Sequence, residues 1–149
     1  MRIRRPSAEM RRRLRAAGAR LLALLIFIGV AAPASQRQIR QGEYLTQHVA
    51  MCVQCHTPRR SDGQLDMTRL FQGAPVPVPS PAFPNQQWAV NAPNIAGLTG
   101  FSDEDEIALL TTGQRLSGRS PSPPMPPFRL RREDAEAIVA YLRSIAASH

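Results

Sequence analysis

The stretch CVQCHTP, residues 52–58, contains both cysteines of this 149-residue chain and a histidine directly after the second cysteine. Two cysteines at this spacing serve three chemistries: a redox disulfide, half of a zinc site, or covalent attachment of haem through a C-x-x-C-H motif. The rest of the sequence has to distinguish among them.

The N-terminal residues have the composition of an export signal. Residues 1–34 contain eight arginines and one acid, and residues 21–32, LLALLIFIGVAA, form an uncharged apolar run. Such a helix extends only about 18 Å, whereas a permanent membrane span needs about 30 Å. Small residues at Ala32 and Ala34 favour cleavage before Ser35. We therefore predict a signal peptide over residues 1–34, with an uncleaved membrane anchor as the alternative, and a periplasmic domain over residues 35–149.

The formal net charge of +8 is concentrated in that N-terminal segment. Residues 35–149 contain eleven arginines, no lysine and ten acids, so the predicted domain carries a net charge of only +1. Proteins that bind nucleic acid usually present a concentrated basic surface. The near-neutral domain therefore gives no support to a nucleic-acid partner, and the N-terminal segment is the only predicted contact with a membrane.

Three helices and long irregular loops are predicted for the domain. Apolar residues at helical spacing predict a helix over residues 37–52 that leads into the cysteines. Ser102, the four acids after it and Gly113 predict a capped helix over residues 103–112. A repeat of apolar residues three and four apart predicts a last helix over about residues 132–146. Residues 57–101 show no regular periodicity, and no strand pattern competes, so the predicted fold class is all-α with large loops.

Covalent haem attachment explains the cysteines better than the other chemistries. A thioredoxin-like pair follows a strand of a βαβ unit, which this sequence lacks, and for a four-ligand zinc site only His48 and His149 remain. A structural disulfide between Cys52 and Cys55 would close a very small loop and gain little. By contrast, two cysteines on one helical turn can bond to the two haem vinyl groups while His56 reaches the iron. The predicted export also supplies the compartment in which such a site is assembled.

Met125 is the predicted second axial ligand of the iron. It has two prolines on each side, in the sequence PPMPPF, and their fixed backbone would hold the thioether rigidly. The alternative is a methionine packed in a proline-rich surface loop. The remaining methionines are less suitable because they lie in the signal peptide, directly before the motif, or shortly after it: Met1, Met10, Met51 and Met67.

These segments together resemble the single-haem bacterial cytochromes c of the class I fold, and within that group the exported cytochromes that are often associated with dehydrogenases. The resemblance rests on four stretches: CVQCHTPR from Cys52, APNIAGLTGFSDEDEIALLTTG from Ala92, PPMPPF around Met125, and REDAEAIVAYLRSI from Arg132. It implies a class I cytochrome c fold over residues 35–149, with helices and long loops wrapped around one covalent haem c. The haem would be attached through Cys52 and Cys55, with His56 and Met125 on the iron.

The resemblance also implies finer features of the site. The first and last helices would cross near Gly42, against the turn that contains Tyr141 and Leu142, and the Pro93 carbonyl would accept a hydrogen bond from the far ring nitrogen of His56. One departure is Arg131, which stands where the family commonly has Ser or Thr as the cap of the last helix.

Several side chains of the long loop are expected to contact the haem. Trp88 and Arg59, with its neighbour Arg60, are candidates to hydrogen-bond the haem propionates; the alternative is a tryptophan that anchors the loop and a surface arginine pair. The loop's apolar side chains are expected to bury against the macrocycle: Leu70, Phe71, Phe83, Trp88, Ile95 and Leu98.

The predicted ligand pair points to electron transfer rather than catalysis. With both axial positions occupied, the iron has no open site for oxygen or substrate and exchanges only electrons. We therefore expect a one-electron carrier, not an enzyme, between a dehydrogenase donor and an acceptor such as an oxidase. The alternatives are a permanent cytochrome subunit of a membrane dehydrogenase or oxidase complex and, less favoured, a haem enzyme or gas sensor.

Overall fold

The computed structural model describes residues 34–80 and 87–145. Apart from Ala34, the predicted signal peptide lies outside the described residues, as do Phe83 and the last residue of the predicted final helix, Ala146. Within the two described ranges, no helix is long and apolar enough to cross a membrane. The chain there forms four α-helices and one short ribbon of two strands: α1 Gln36–Tyr44, α2 Cys52–His56, β1 Ala74–Pro75, β2 Asn91–Ala92, α3 Asp103–Thr112 and α4 Arg132–Ser144.

The first predicted helix is interrupted just before the cysteines. Ser35 caps α1, because its Oγ accepts a hydrogen bond of 3.2 Å from the backbone N–H of Gln38. A π-helical turn, Leu45–Val49, follows α1 directly. The backbone then takes a left-handed conformation at Met51, with φ of +55°, and the short helix α2 begins at the next residue. The prediction of one helix over residues 37–52 is therefore wrong at its end, because apolar spacing does not reveal a left-handed residue other than glycine.

The two later helices begin and end close to their predicted positions. Ser102 caps α3 by accepting a hydrogen bond of 3.2 Å from the Asp105 N–H, and Gly113 ends the helix with φ of +75°. Helix α4 begins at Arg132 although the side chain of Arg131 makes no capping hydrogen bond. The all-α prediction is thus confirmed. Within the predicted long loop, the structure adds the ribbon of two-residue strands and two 3₁₀ turns, Met67–Arg69 and Ala96–Leu98.

Helices α1 and α4 cross at Gly42, as the resemblance implies. A Cβ atom added to Gly42 would lie 1.9 Å from the carbonyl oxygen of Ala137 and 2.7 Å from Cβ of Tyr141. The two backbones are therefore in direct contact, and only glycine fits. A hydrogen bond of 2.8 Å from Gln47 Nε2 to the Tyr141 hydroxyl oxygen connects the π-helical turn after α1 to α4.

The core between the helices includes part of the long loop. Phe71 and Leu98 are almost fully enclosed by protein atoms, and the Phe71 ring meets the Tyr141 ring edge-on with centroids 6.2 Å apart. The expectation that the haem buries these two side chains is wrong, because helix α4 and its neighbours already provide their apolar surroundings. The loop is therefore partly folded into the helical core.

The helix crossing gives a prediction for Gly42→Ala. Alanine in place of an exposed helical glycine usually adds about 1 kcal/mol of stability. Here the extra methyl group would push α1 and α4 apart, so we expect the free energy of unfolding to fall by about 2–3 kcal/mol. Chemical denaturation followed by far-ultraviolet circular dichroism measures this, with the neighbouring exposed change Gln41→Ala as the control. Equal stability of Gly42→Ala and the unaltered protein would contradict the crossing.

Candidate functional site

The five-residue helix α2 brings the motif side chains to one cavity. Val53 is buried in the core and fixes the helix, while Cys52, Cys55 and His56 line a cavity of about 460 Å³. Both cysteines are free thiols. The cavity lies within the range of small-molecule and cofactor sites, about 300–1,000 Å³.

The buried imidazole of His56 has one ring nitrogen engaged and one available. Its Nδ1 lies 2.8 Å from the Pro93 carbonyl oxygen, so the hydrogen bond that the resemblance implies is present. Because a carbonyl can only accept, Nδ1 carries the proton and Nε2 keeps a lone pair. Burial lowers the pKa of His56, although the Pro93 carbonyl partly opposes this effect. The ring is therefore neutral near pH 7 and suited to bind a metal through Nε2.

Gly73 positions the Pro93 carbonyl, and sequence reasoning missed this residue. Its N–H donates a hydrogen bond of 2.8 Å to the carbonyl oxygen of His56, and its φ is +84°. A Cβ atom there would lie 2.8 Å from the Asn94 nitrogen and 2.9 Å from the Ala92 oxygen. The ribbon pairs Ala74 with Ala92 next to this contact. Nothing in the local sequence distinguishes Gly73 from an ordinary loop glycine.

Met125 lies in the wall of the same cavity as His56. The proline-rich segment around it is tied to the rest of the fold on both sides. The carbonyl oxygen of Pro123 accepts a hydrogen bond of 2.7 Å from the Ala89 N–H, and the N–H of Leu130 donates one of 3.0 Å to the Leu110 oxygen. The structure thus brings both predicted axial side chains to one cavity.

The two alternative uses of the cysteines fit this geometry poorly. Burial and the neighbouring Cys55 raise the pKa of the Cys52 thiol to about 11, whereas a redox-active pair depends on a thiol with a lowered pKa. Within residues 34–80 and 87–145, no group of three or more His, Cys, Asp or Glu side chains is arranged to hold a metal ion. An apolar cavity with two thiols, a neutral imidazole and a thioether instead fits haem.

The predicted propionate partners do not lie in the cavity wall. Arg59 donates hydrogen bonds to the Gly63 carbonyl and the Gln54 side chain, and Trp88 Nε1 donates one of 3.1 Å to the Val78 carbonyl. Their contact with propionates stays a prediction.

Two other arginines, Arg115 and Arg119, do line the cavity, and the sequence analysis missed both. The only signal in the sequence is their position between Gly113 and Met125, on the segment that leads to the predicted ligand. Their arrival at the cavity depends on how that segment folds back, which the sequence pattern does not show.

Comparisons with known proteins agree with this site. Residues 42–146 match the family model described as "Cytochrome c". The chain is also 33% identical over 112 residues to the fructose dehydrogenase cytochrome subunit of Gluconobacter japonicus. That match covers 72% of this chain but only 22% of the relative, so this chain aligns with about a fifth of that longer protein.

The family match includes the C-x-x-C-H motif, the segment around Met125 and helices α3 and α4. The helical architecture agrees with the class I fold. The chain therefore belongs to the cytochrome c family, whose members carry covalently attached haem and transfer electrons.

Proposed function

We propose that this protein is a periplasmic one-electron carrier with a single haem c attached through Cys52 and Cys55 and ligated by His56 and Met125. The observation that carries the proposal is one cavity lined by both thiols, by a neutral imidazole with a free Nε2, and by a thioether. The donor would be a dehydrogenase and the acceptor a terminal oxidase or similar electron sink.

Each side chain of the site has a distinct role in this proposal. Haem bound there supplies iron that accepts and releases one electron. Cys52 and Cys55 would hold the porphyrin by thioether bonds, and the Pro93 hydrogen bond would orient His56 and raise the basicity of its Nε2. The soft sulfur of Met125 would favour ferrous iron and thereby raise the reduction potential. With His56 and Met125 both bound, the iron would have no open position for small molecules.

The dehydrogenase as donor is supported by the printed name of the relative, which is a cytochrome subunit of a fructose dehydrogenase. The net charge of residues 35–149 is only +1, because they contain eleven arginines and ten acids. Recognition of the partner would then depend little on overall charge attraction, so the rate of electron transfer should respond only weakly to salt.

A second candidate is a permanent cytochrome subunit of a dehydrogenase complex, because the relative is itself a subunit. Purification from the native membrane and soluble fractions in high salt separates the two candidates. A free carrier would be recovered alone in the periplasmic fraction, with Ser35 as its first residue. A permanent subunit would co-purify with a dehydrogenase, and an uncleaved N-terminus in the membrane fraction would identify an anchor.

Met125→Ala tests the second axial ligand. We expect the haem to stay covalently attached, the reduction potential to fall, and the affinity of the ferrous protein for carbon monoxide to rise at least about tenfold, since an axial position becomes free. Redox titration and carbon monoxide titration measure these changes. Met67→Ala is the matched control, because Met67 is exposed and does not line the cavity. An unchanged potential and affinity in Met125→Ala would exclude Met125 as a ligand.

Replacing the cysteines tests the covalent attachment. Each single change, Cys52→Ala or Cys55→Ala, should leave one thioether link and reduce the yield of mature protein. The double variant should release its haem into acidified organic solvent, because no covalent bond remains. Mass spectrometry of the denatured chain gives the result directly, and a double variant that retained the mass of haem would show attachment elsewhere.

Gly73→Ala tests whether the Pro93 carbonyl tunes His56. The new methyl group would displace the backbone at Ala92 and Asn94 and weaken the hydrogen bond to Nδ1. A less basic imidazole stabilises ferric iron less, so the potential should rise. Gly63→Ala is the control, because Gly63 also has a positive φ, of +82°, but has open space around it. Equal potentials in the two variants would count against this role of the hydrogen bond.

A further inference from the structure

The segment that carries Met125, residues 114–127, is here called the ligand loop. It follows α3 and contributes more residues to the cavity wall than any other segment, eight in all: Arg115, Arg119, Ser120, Pro121, Ser122, Pro124, Met125 and Pro126. A short turn near its start is closed by hydrogen bonds of 2.9 Å from the Arg115 N–H to the Arg119 oxygen and 2.8 Å from the Gly118 N–H to the Arg115 oxygen. A shift of this turn would therefore move the cavity-lining residues that follow it, including Met125.

Arg115 fixes the turn to helix α3. Its Nη1 donates to Oδ2 of Asp105 at 3.0 Å and also to Oε1 of Glu106. The guanidinium lies over the Phe101 ring, 4.8 Å from the centroid. Leu116 adds a second contact with α3, because its N–H donates a hydrogen bond of 2.7 Å to Oδ1 of Asp105. Within the described ranges, Arg115 is the only residue of the ligand loop that forms an ion pair.

The Glu106 carboxylate, one of the two that pair with Arg115, is buried. Glu106 is 7% exposed, and burial raises its pKa while Arg115 partly opposes that effect. Burying such a pair costs desolvation energy that often cancels its attraction. Arg115 and Glu106 nevertheless have to stay together, because a buried carboxylate that lost its arginine would be strongly unfavourable. The ion pair therefore restricts where the ligand loop can lie.

We propose that Arg115 is a positioning residue for the axial sulfur. By joining Asp105 and Glu106 to the start of the ligand loop, it holds the loop in the arrangement that presents Met125 to the iron. Without it, the loop would sample positions in which the sulfur is displaced. The inference rests on the proposed function, because it takes Met125 as the ligand.

The test compares Arg115→Gln with Arg132→Gln in the mature haem protein. Arg132 is the matched control, because it also pairs with two carboxylates, those of Glu104 and Glu136, but lies on α4 and outside the cavity wall. Carbon monoxide titration of the ferrous protein reports displacement of the axial sulfur. Hydrogen exchange at residues 114–127 reports loosening of the ligand loop without reference to the iron.

We expect Arg115→Gln to bind carbon monoxide at least about tenfold more tightly than the unaltered protein, with faster exchange confined to the ligand loop. Arg132→Gln should match the unaltered protein in both measurements. Arg115→Lys keeps the positive charge but loses the planar set of donors of the guanidinium. Its affinity for carbon monoxide should therefore lie between those of Arg115→Gln and the unaltered protein. Because it is also the milder change, Arg115→Lys provides the test if Arg115→Gln does not fold.

Two results would overturn the inference, and they are distinguishable. If the unaltered protein excludes carbon monoxide and both Arg115 variants do so equally well, Arg115 does not position the sulfur, although the proposed function stands. If the unaltered protein already binds carbon monoxide strongly, the ligand pair itself is wrong and the inference falls with it.

Discussion

Two hydrogen bonds of His56, one from its ring and one to its backbone carbonyl, connect the cysteine-bearing helix to the long loop. The ring donates through Nδ1 to Pro93, and the carbonyl of the same residue accepts from Gly73. These two partners lie on the two arms of the loop, where β1 and β2 pair. The hydrogen bond to Pro93 fixes the tautomer of His56 and orients its free Nε2. The hydrogen bond from Gly73 closes a loop that has little regular structure. A buried imidazole with an unpaired ring proton would be unfavourable, so the loop and the ligand depend on each other.

The fold separates structural support from the redox site. Contact between α1 and α4 at Gly42 and the packing of Phe71 against Tyr141 form a core that the protein completes with its own side chains. The cavity lies between α2 and the loops, with apolar and proline-rich walls. This division suits electron transfer, because a site held in place by a separate core needs little rearrangement when its charge changes. The proline-rich loops have few backbone donors and are held by single hydrogen bonds. One joins Ala89 to Pro123, and another joins Leu130 to Leu110 of α3.

The sequence predicted those features that depend on local chemistry. Capping by Ser102 and the glycine at 113 set the bounds of α3, and apolar spacing set the start of α4, because these signals act over a few residues. The left-handed break at Met51 was missed, since methionine has no special preference for that conformation. Site residues that belong to the C-x-x-C-H motif, such as His56, were predicted from the sequence. The contacts of Gly73 with Ala92 and Asn94 and of Arg115 with Asp105 and Glu106 were not predicted, because each depends on how a loop folds back on the chain, which the local sequence pattern does not show.

Proton magnetic resonance of the ferrous protein tests whether the sulfur of Met125 is bound to the iron. A methyl group on a sulfur bound to iron lies above the porphyrin ring, whose circulating electrons shield it and shift its signal far upfield. With ¹³C-labelled methionine methyl groups, and Met125→Leu to assign the signal, we expect one methyl resonance of Met125 outside the normal range. A Met125 methyl at its ordinary position, or the upfield signal belonging to another methionine, would contradict the proposed His56 and Met125 pair.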